Sequence, residues 1–159
     1  MDNISIKRIA TLHPKIVSEI SDILIECEKN NVSIRITSAF RTAKEQEDLY
    51  TIGRSKPGRI VTKARAFESF HNYGLAVDIC LLHKDKSISY SLTEDLDYDG
   101  ISDWLEVVKI FKSKGYEWGG DWQNFKETPH FQKTFGYKHQ DLKQKVLSLN
   151  VDKNGFVII

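Results

Sequence analysis

Residues Ser69 to Leu82 read S-F-H-N-Y-G-L-A-V-D-I-C-L-L: a histidine, a turn, then an apolar run broken by a single acid. Leu75 to Leu82 has the length and composition of a buried strand, yet Asp78 stands in its middle. Burying an unpaired carboxylate costs on the order of several kcal/mol, so Asp78 must reach the surface, pair with a cation or bind a metal. Side chains alternate along a strand. That places Asp78 with Ala76 on one face, and Leu75, Val77, Ile79 and Leu81 on the other, toward a core. His71 precedes the strand by a turn containing Gly74, close enough to return to the same end of it.

Outward from this stretch, the chain alternates between helical and strand periods. Pro14 suits a first helical position, and Ile16, Ile20, Ile23, Leu24 and Cys27 follow at helical spacing until Asn30-Asn31. Val32, Ile34 and Ile36 alternate with polar residues as in a half-buried strand. Thr42 with Glu45 forms a capping box, and Gly53 stops a helix whose inner face includes Leu49 and Tyr50. Trp104, Leu105, Val108 and Phe111 mark a helix closed by Gly115. Tyr116–Trp118 and His130–Gln132 read as short strands, and Leu142, Val146 and Leu149 as a last helix. Short strands mixed with separate helices, without regular β-α-β spacing, predict one α+β domain with a small sheet and flanking helices. The longest irregular stretches, 54–70 and 82–99, flank the His71–Asp78 segment, and loops of that length commonly carry function.

Composition excludes several classes. The 159 residues carry 40% apolar and 28% charged side chains, enough for one domain with a real core. A net charge of +1, with no Lys/Arg block interleaved with aromatics, argues against nucleic acid as a partner. The N-terminus has no basic region followed by an apolar stretch, and no run approaches the ~18 residues of a membrane span. The expectation is a soluble monomer made in the cytoplasm without a signal peptide or membrane insertion. Cys27 and Cys80 lie in apolar patterns without C-x-x-C spacing, as two buried free thiols would.

His71 and Asp78 are two candidate ligands for zinc, which in catalytic sites takes three protein ligands and keeps a fourth position open. His130, in the aromatic segment E-T-P-H-F, is the best third. His13, His83 and His139 stand beside Pro14, Lys84 and Lys138 and read as surface residues. Spacing alone leaves a second reading open, in which the histidines are hydrogen-bonded core residues and Asp78 caps a turn or pairs with Arg41.

Four segments add to this: S-A-F-R-T-A-K-E-Q-E-D-L-Y-T-I-G-R (38–54), K-P-G-R-I-V-T-K-A (56–64), S-F-H-N-Y-G-L-A-V-D (69–78) and W-G-G-D-W-Q-N-F-K-E-T-P-H-F (118–131). In order and over roughly residues 10–132, the chain resembles the L-alanyl-D-glutamate peptidases. These belong to the zinc peptidase family of the D-Ala-D-Ala carboxypeptidases and dipeptidases, many of them bacteriophage endolysins. The resemblance implies the small antiparallel α+β fold shared with hedgehog signalling domains, and zinc held by His71, Asp78 and His130. It makes Glu127 the catalytic carboxylate and matches Arg41 to the family arginine. The partner it implies is the peptidoglycan stem peptide, cut between L-Ala and D-Glu after release of the enzyme from the host cytoplasm. Family members usually carry Asp where this chain has Glu127, so the longer side chain has to reach the reacting water from another backbone position. A solvated loop glutamate beside Lys126, and a surface-paired Arg41, are the bland readings of the same residues. Ser69 is placed to orient its neighbouring ligand or touch substrate, and Tyr73, Trp118 and Trp122 to wall a cleft, although aromatics around a G-G turn are as often core. A D-Ala-D-Ala carboxypeptidase or dipeptidase, and a non-catalytic zinc-containing binding module, are the competing functions.

Asp95, Asp97, Asp99, Gly100, Ile101, Asp103 and Glu106 fit the D-x-[DN]-x-[DN]-G-x(5)-E calcium loop at every position. Glycine at position six permits the turn, Ile101 offers its carbonyl and Glu106 a bidentate carboxylate. An exit helix beginning near Ser102 is present, whereas Ser87 to Glu94 does not read as an entering helix. The alternative is an acidic turn capping the following helix.

Overall fold

A computed structural model describes residues 1–159. Five α-helices, α1 (Asn3–Ile9), α2 (Pro14–Lys29), α3 (Ala43–Thr51), α4 (Asp103–Ser113) and α5 (His139–Leu147), surround five strands. These are β1 (Ile34–Ser38), β2 (Ala76–Leu82), β3 (Ile88–Ser89), β4 (Glu117–Trp118) and β5 (His130–Gln132). The sheet runs β1-β2-β5-β4 with β3 on the far end of β2, and every pairing is antiparallel. The α+β reading therefore holds. No helix is long and apolar enough to cross a membrane.

Local chemistry explains the helices. Pro14 starts α2, and its five periodic residues are all buried. The Thr42–Glu45 capping box of α3 is complete, with both reciprocal hydrogen bonds formed. The inner face of α3 differs from expectation, however: Gln46, not Leu49 or Tyr50, is its buried residue, because its amide is consumed by the loop packed on that helix. In α4, Trp104, Val108 and Phe111 are buried while Leu105 is half exposed, and Leu149 lies beyond α5 in solvent. Both cysteines are buried and free.

Helix α1 has no counterpart in the sequence reading, since Ile4 and Ile6 alternate like a strand and both remain exposed. It covers the open edge of the sheet. The Ser5 hydroxyl accepts the Ile36 N–H (3.0 Å) and Arg8 donates to the Ile36 carbonyl, so polar groups that would invite another strand are satisfied within the chain.

Leu75, Val77, Ile79 and Leu81 of the central segment join α2 and α4 in the main core, with Trp104, Phe111 and Phe131 fully buried. Asp78 points to the opposite side of β2. One close approach positions that side. A Cβ on Gly119 would sit 2.4 Å from the Glu127 carbonyl oxygen, which only glycine avoids. His13, expected at the surface, is buried: its Nδ1 accepts the Lys15 N–H at the start of α2 and its Nε2 donates to the Val157 carbonyl (2.9 Å). The correction arises from the C-terminal segment folding back through the Val151–Val157 bridge, a contact 144 residues away in sequence.

Replacing His13 with alanine is expected to cost about 1–3 kcal/mol by orphaning the buried Val157 carbonyl and removing the acceptor for the Lys15 N–H, measured as a lower urea midpoint. Gly119→Ala is expected to cost about 1–3 kcal/mol through overpacking against the 127–130 segment, read in the same unfolding assay.

Candidate metal and active site

The 3-10 turn Phe70–Tyr73 delivers His71, with the Ser69 hydroxyl accepting the His71 N–H (3.3 Å). Gly74 ends the turn at φ 67°, where a Cβ would lie 2.7 Å from the His13 nitrogen. On β2, Asp78 stands directly opposite His130 of β5 and opposite Ser38 across a bulge in β1. Strand register thus brings together two residues 52 apart in sequence, and the turn adds the third.

The three ligand atoms form an equilateral triangle. His71 Nε2, His130 Nδ1 and Asp78 Oδ1 are each 3.2 Å from the other two. A tetrahedral ion bound at about 2.0–2.1 Å holds its ligands about 3.3 Å apart, so the triangle has the size of one face of such a site. The outer hydrogen bonds settle where the protons are. His71 Nδ1 lies 2.6 Å from the Ala39 carbonyl, an acceptor only, and so carries the hydrogen. His130 Nε2 lies 3.0 Å from Gln132 Oε1, and that amide is oriented because its NH2 donates to Glu117 (2.9 Å). In its neutral form each histidine therefore turns a lone pair toward the carboxylate. Three lone pairs converging without a donor call for a cation, and partners of this kind fix the tautomer of metal-binding histidines.

Charge follows the same logic. Burial would raise the Asp78 pKa, but the two imidazoles hold it well below the ordinary carboxylate range. Burial lowers His71; for His130 burial also lowers, but Asp78, Glu127 and Gln132 together raise it above its ordinary value.

Glu127 borders the triangle, its Oε2 3.9 Å from His130 Nδ1. Burial lifts its pKa above that of an ordinary glutamate, with His130 and Arg41 opposing and Asp78 assisting. Arg41 donates to Gln46 (2.8 Å) and Ser38 (2.9 Å) and reaches Asp78 Oδ2 at 3.5 Å. Trp122 lies against His130, ring centroids 5.2 Å apart. These groups and Ser69 line one cleft of about 580 Å³.

Two expected cleft residues belong elsewhere. Tyr73 is buried, its hydroxyl donating to the Phe67 carbonyl, and Trp118 stacks near Phe131 with its indole N–H on the Thr128 carbonyl. Both are drawn inward because the turn and β4 present them to the core. Sequence reading missed Ala39, Gln132 and Glu117, whose role depends on tertiary hydrogen bonds; only the F-Q following P-H offered a local sign.

The acidic loop lies apart from this cleft. Ligand oxygens of Asp95, Asp97 and Asp99, and of Asp97, Asp103 and Glu106, form two groups each within 4.8 Å. Ser102 precedes α4, and no helix enters the loop. Asp95 Oδ1 and Glu106 Oε2 are buried without a hydrogen-bond partner.

A family model described as D-alanyl-D-alanine carboxypeptidase matches residues 62–133, the span that holds all three ligand candidates. The peptidoglycan L-alanyl-D-glutamate endopeptidase CwlK of Bacillus subtilis is 51% identical over 122 residues, covering 76% of this chain and 72% of that protein. An L-alanyl-D-glutamate peptidase of Listeria phage A118 is 30% identical over 111 residues; the match covers 70% of this chain but 33% of the phage protein. The crystal structure of the L-Ala D-Glu endopeptidase ChiX of Serratia marcescens shares the fold, with a TM-score of 0.55 at 24% identity over 85% of this chain and 90% of that one. The chain belongs to the peptidase family of the peptidoglycan L-alanyl-D-glutamate endopeptidases.

Proposed function

We propose that the chain is a zinc-dependent endopeptidase that hydrolyses the L-Ala–D-Glu bond of the peptidoglycan stem peptide. The observation that carries this reading is the triangle of three lone pairs beside a buried carboxylate, in a cleft wide enough for a peptide. His71, Asp78 and His130 would hold the zinc. When bound there, zinc supplies Lewis acidity, bringing the pKa of a water toward ~7 and polarising a peptide carbonyl.

The remaining steps belong to the protein. Glu127 takes the proton from the attacking water and returns it to the departing amine of D-Glu, acting as base and then acid. Its raised pKa suits both halves of that task. Arg41 keeps guanidinium N–H groups beyond those given to Gln46, Ser38 and Asp78, and offers them to the developing oxyanion. Ser69 steadies His71 through its backbone, and Trp122 provides an apolar wall. One chain supplies every group, so we infer that a monomer suffices. The phage relative supports an endolysin-type role, with the enzyme reaching the wall after release from the host cytoplasm.

We further infer a calcium site at Asp95, Asp97, Asp99, Ile101, Asp103 and Glu106. The two orphaned carboxylate oxygens support it. Burial and the surrounding aspartates raise the pKa of Glu106, and burial with neighbouring acids raises Asp103, as expected of a cluster lacking its counter-charge. Calcium there would order the connection between β2 and the 118–130 segment.

Digestion of purified muropeptides should release a new D-Glu amino terminus by mass spectrometry; release of D-Ala instead would assign the D-Ala-D-Ala carboxypeptidase reading. Glu127→Ala is expected to lower kcat at least 100-fold while zinc stoichiometry is retained, and full wall lysis by that variant would indicate a non-catalytic module. Millimolar calcium added to the zinc-loaded protein should raise its thermal midpoint, with the effect lost in Glu106→Gln; an unchanged midpoint and unchanged activity would remove the calcium site.

A further inference from the structure

The cleft has an unequal distribution of charge. Asp78, Glu127 and Glu68 contribute carboxylates, and Arg41 and Lys63 are its two permanent cations. The ion pairs of the cleft are Arg41–Asp78, His71–Asp78, His130–Asp78 and His130–Glu127, and Lys63 takes part in none of them. Its ammonium lies over the face of Phe125, 5.4 Å from the ring centroid. An exposed lysine is ordinarily a solubilising group. The backbone that carries this one is held in place by buried and half-buried side chains of the neighbouring helix and turn.

Residues 59–62 form no helix or strand, yet the backbone around Lys63 is pinned from behind. Arg54 donates twice to the Thr62 carbonyl (3.2 Å each). The buried Gln46 amide donates to the Ala64 carbonyl (2.7 Å) and meets the Thr62 hydroxyl (3.4 Å), which also accepts the Ala64 N–H (3.1 Å). Thr62 is turned inward and buried, so Val61 and Lys63 on either side are turned outward and exposed. The loop is preorganised to present a lysine to the cleft, which reduces the ordering cost of binding a ligand there.

The stem peptide supplies a matching group. D-Glu continues the stem through its γ-carboxyl, so its α-carboxylate remains free on the carbon that bears the scissile nitrogen. With Asp78 paired to Arg41 and the two histidines, Glu127 and Glu68 are the carboxylates that such an anion meets in the cleft, and with Arg41 held by Gln46, Ser38 and Asp78 and turned to the oxyanion, Lys63 is the cation left to receive it. We propose that Lys63 binds the free α-carboxylate of D-Glu and makes the enzyme discriminate against stem peptides in which that carboxylate is amidated. The proposal rests on the L-Ala–D-Glu reading of the site.

The test uses the zinc-loaded full chain and two synthetic stem peptides differing only in D-Glu α-carboxylate or α-carboxamide. The parent is expected to favour the acid by about 10-fold or more in kcat/KM, the size of one charge-assisted hydrogen bond. Lys63→Met should bring the ratio toward one, mostly through KM, and Lys63→Arg should restore most of it. An unchanged thermal midpoint and zinc content would show that Lys63→Met is folded. A parent ratio near one, or a ratio that Lys63→Met leaves intact, overturns the role of Lys63 while L-Ala–D-Glu cleavage stands. Cleavage of neither peptide by the parent overturns the functional reading itself, and the role of Lys63 with it.

Discussion

Asp78 faces His130 across the β2–β5 ladder, and His71 closes on both from the turn that leads into β2. The pairing is an electrostatic constraint as much as a geometric one. Two imidazoles with their protons committed outward, to Ala39 and Gln132, leave three lone pairs 3.2 Å apart. In such an arrangement repulsion is relieved only by positive charge placed between them. A one-residue slip of β5 would turn His130 to the core and Phe131 to the cleft, so the His71–Asp78–His130 triangle and the hydrophobic core require the same register.

Around this centre, the less regular parts of the chain serve as supports. The W-G-G turn permits the Glu127 backbone to approach Gly119 closely, with Glu127 N–H donating to the Gly119 carbonyl (3.1 Å) and His130 N–H to the Glu127 carbonyl (3.0 Å). Glu127 and His130 are thereby tied into one short run of chain. The extra methylene of Glu127, relative to the aspartate usual in this family, is accommodated with its carboxylate at the rim of the triangle. On the other side, Gln46 and Arg54 organise the 62–64 loop, so one side of the cleft is fixed by backbone and sheet hydrogen bonds and the other by side-chain-to-backbone hydrogen bonds. Sites with such supports keep reacting groups in place without a large reorganisation cost.

The acidic loop follows a different principle. Its backbone N–H groups are satisfied by its own carboxylates, as in Gly100 to Asp95 and Ile101 to Asp99, which sets the curvature of the loop. The two buried oxygens left over, on Asp95 and Glu106, are the part that this internal bonding does not explain. Ser102, just before α4, forms no side-chain cap.

Sequence by itself determined the elements with strong periodicity and the three candidate residues that converge in the cleft. Helix α2, the capped α3, β2 with its one acid, and the paired histidines are local or composition-driven, and each signal needs only neighbouring residues. Tertiary structure alone decided the rest. His13 became a buried tie to Val157, Tyr73 and Trp118 became core, α1 became the cover of an open sheet edge, and Lys63 became a cleft residue. Each of these outcomes depends on a partner far along the chain. Burial and hydrogen-bond satisfaction are properties of the assembled neighbourhood, which spacing along a sequence does not contain.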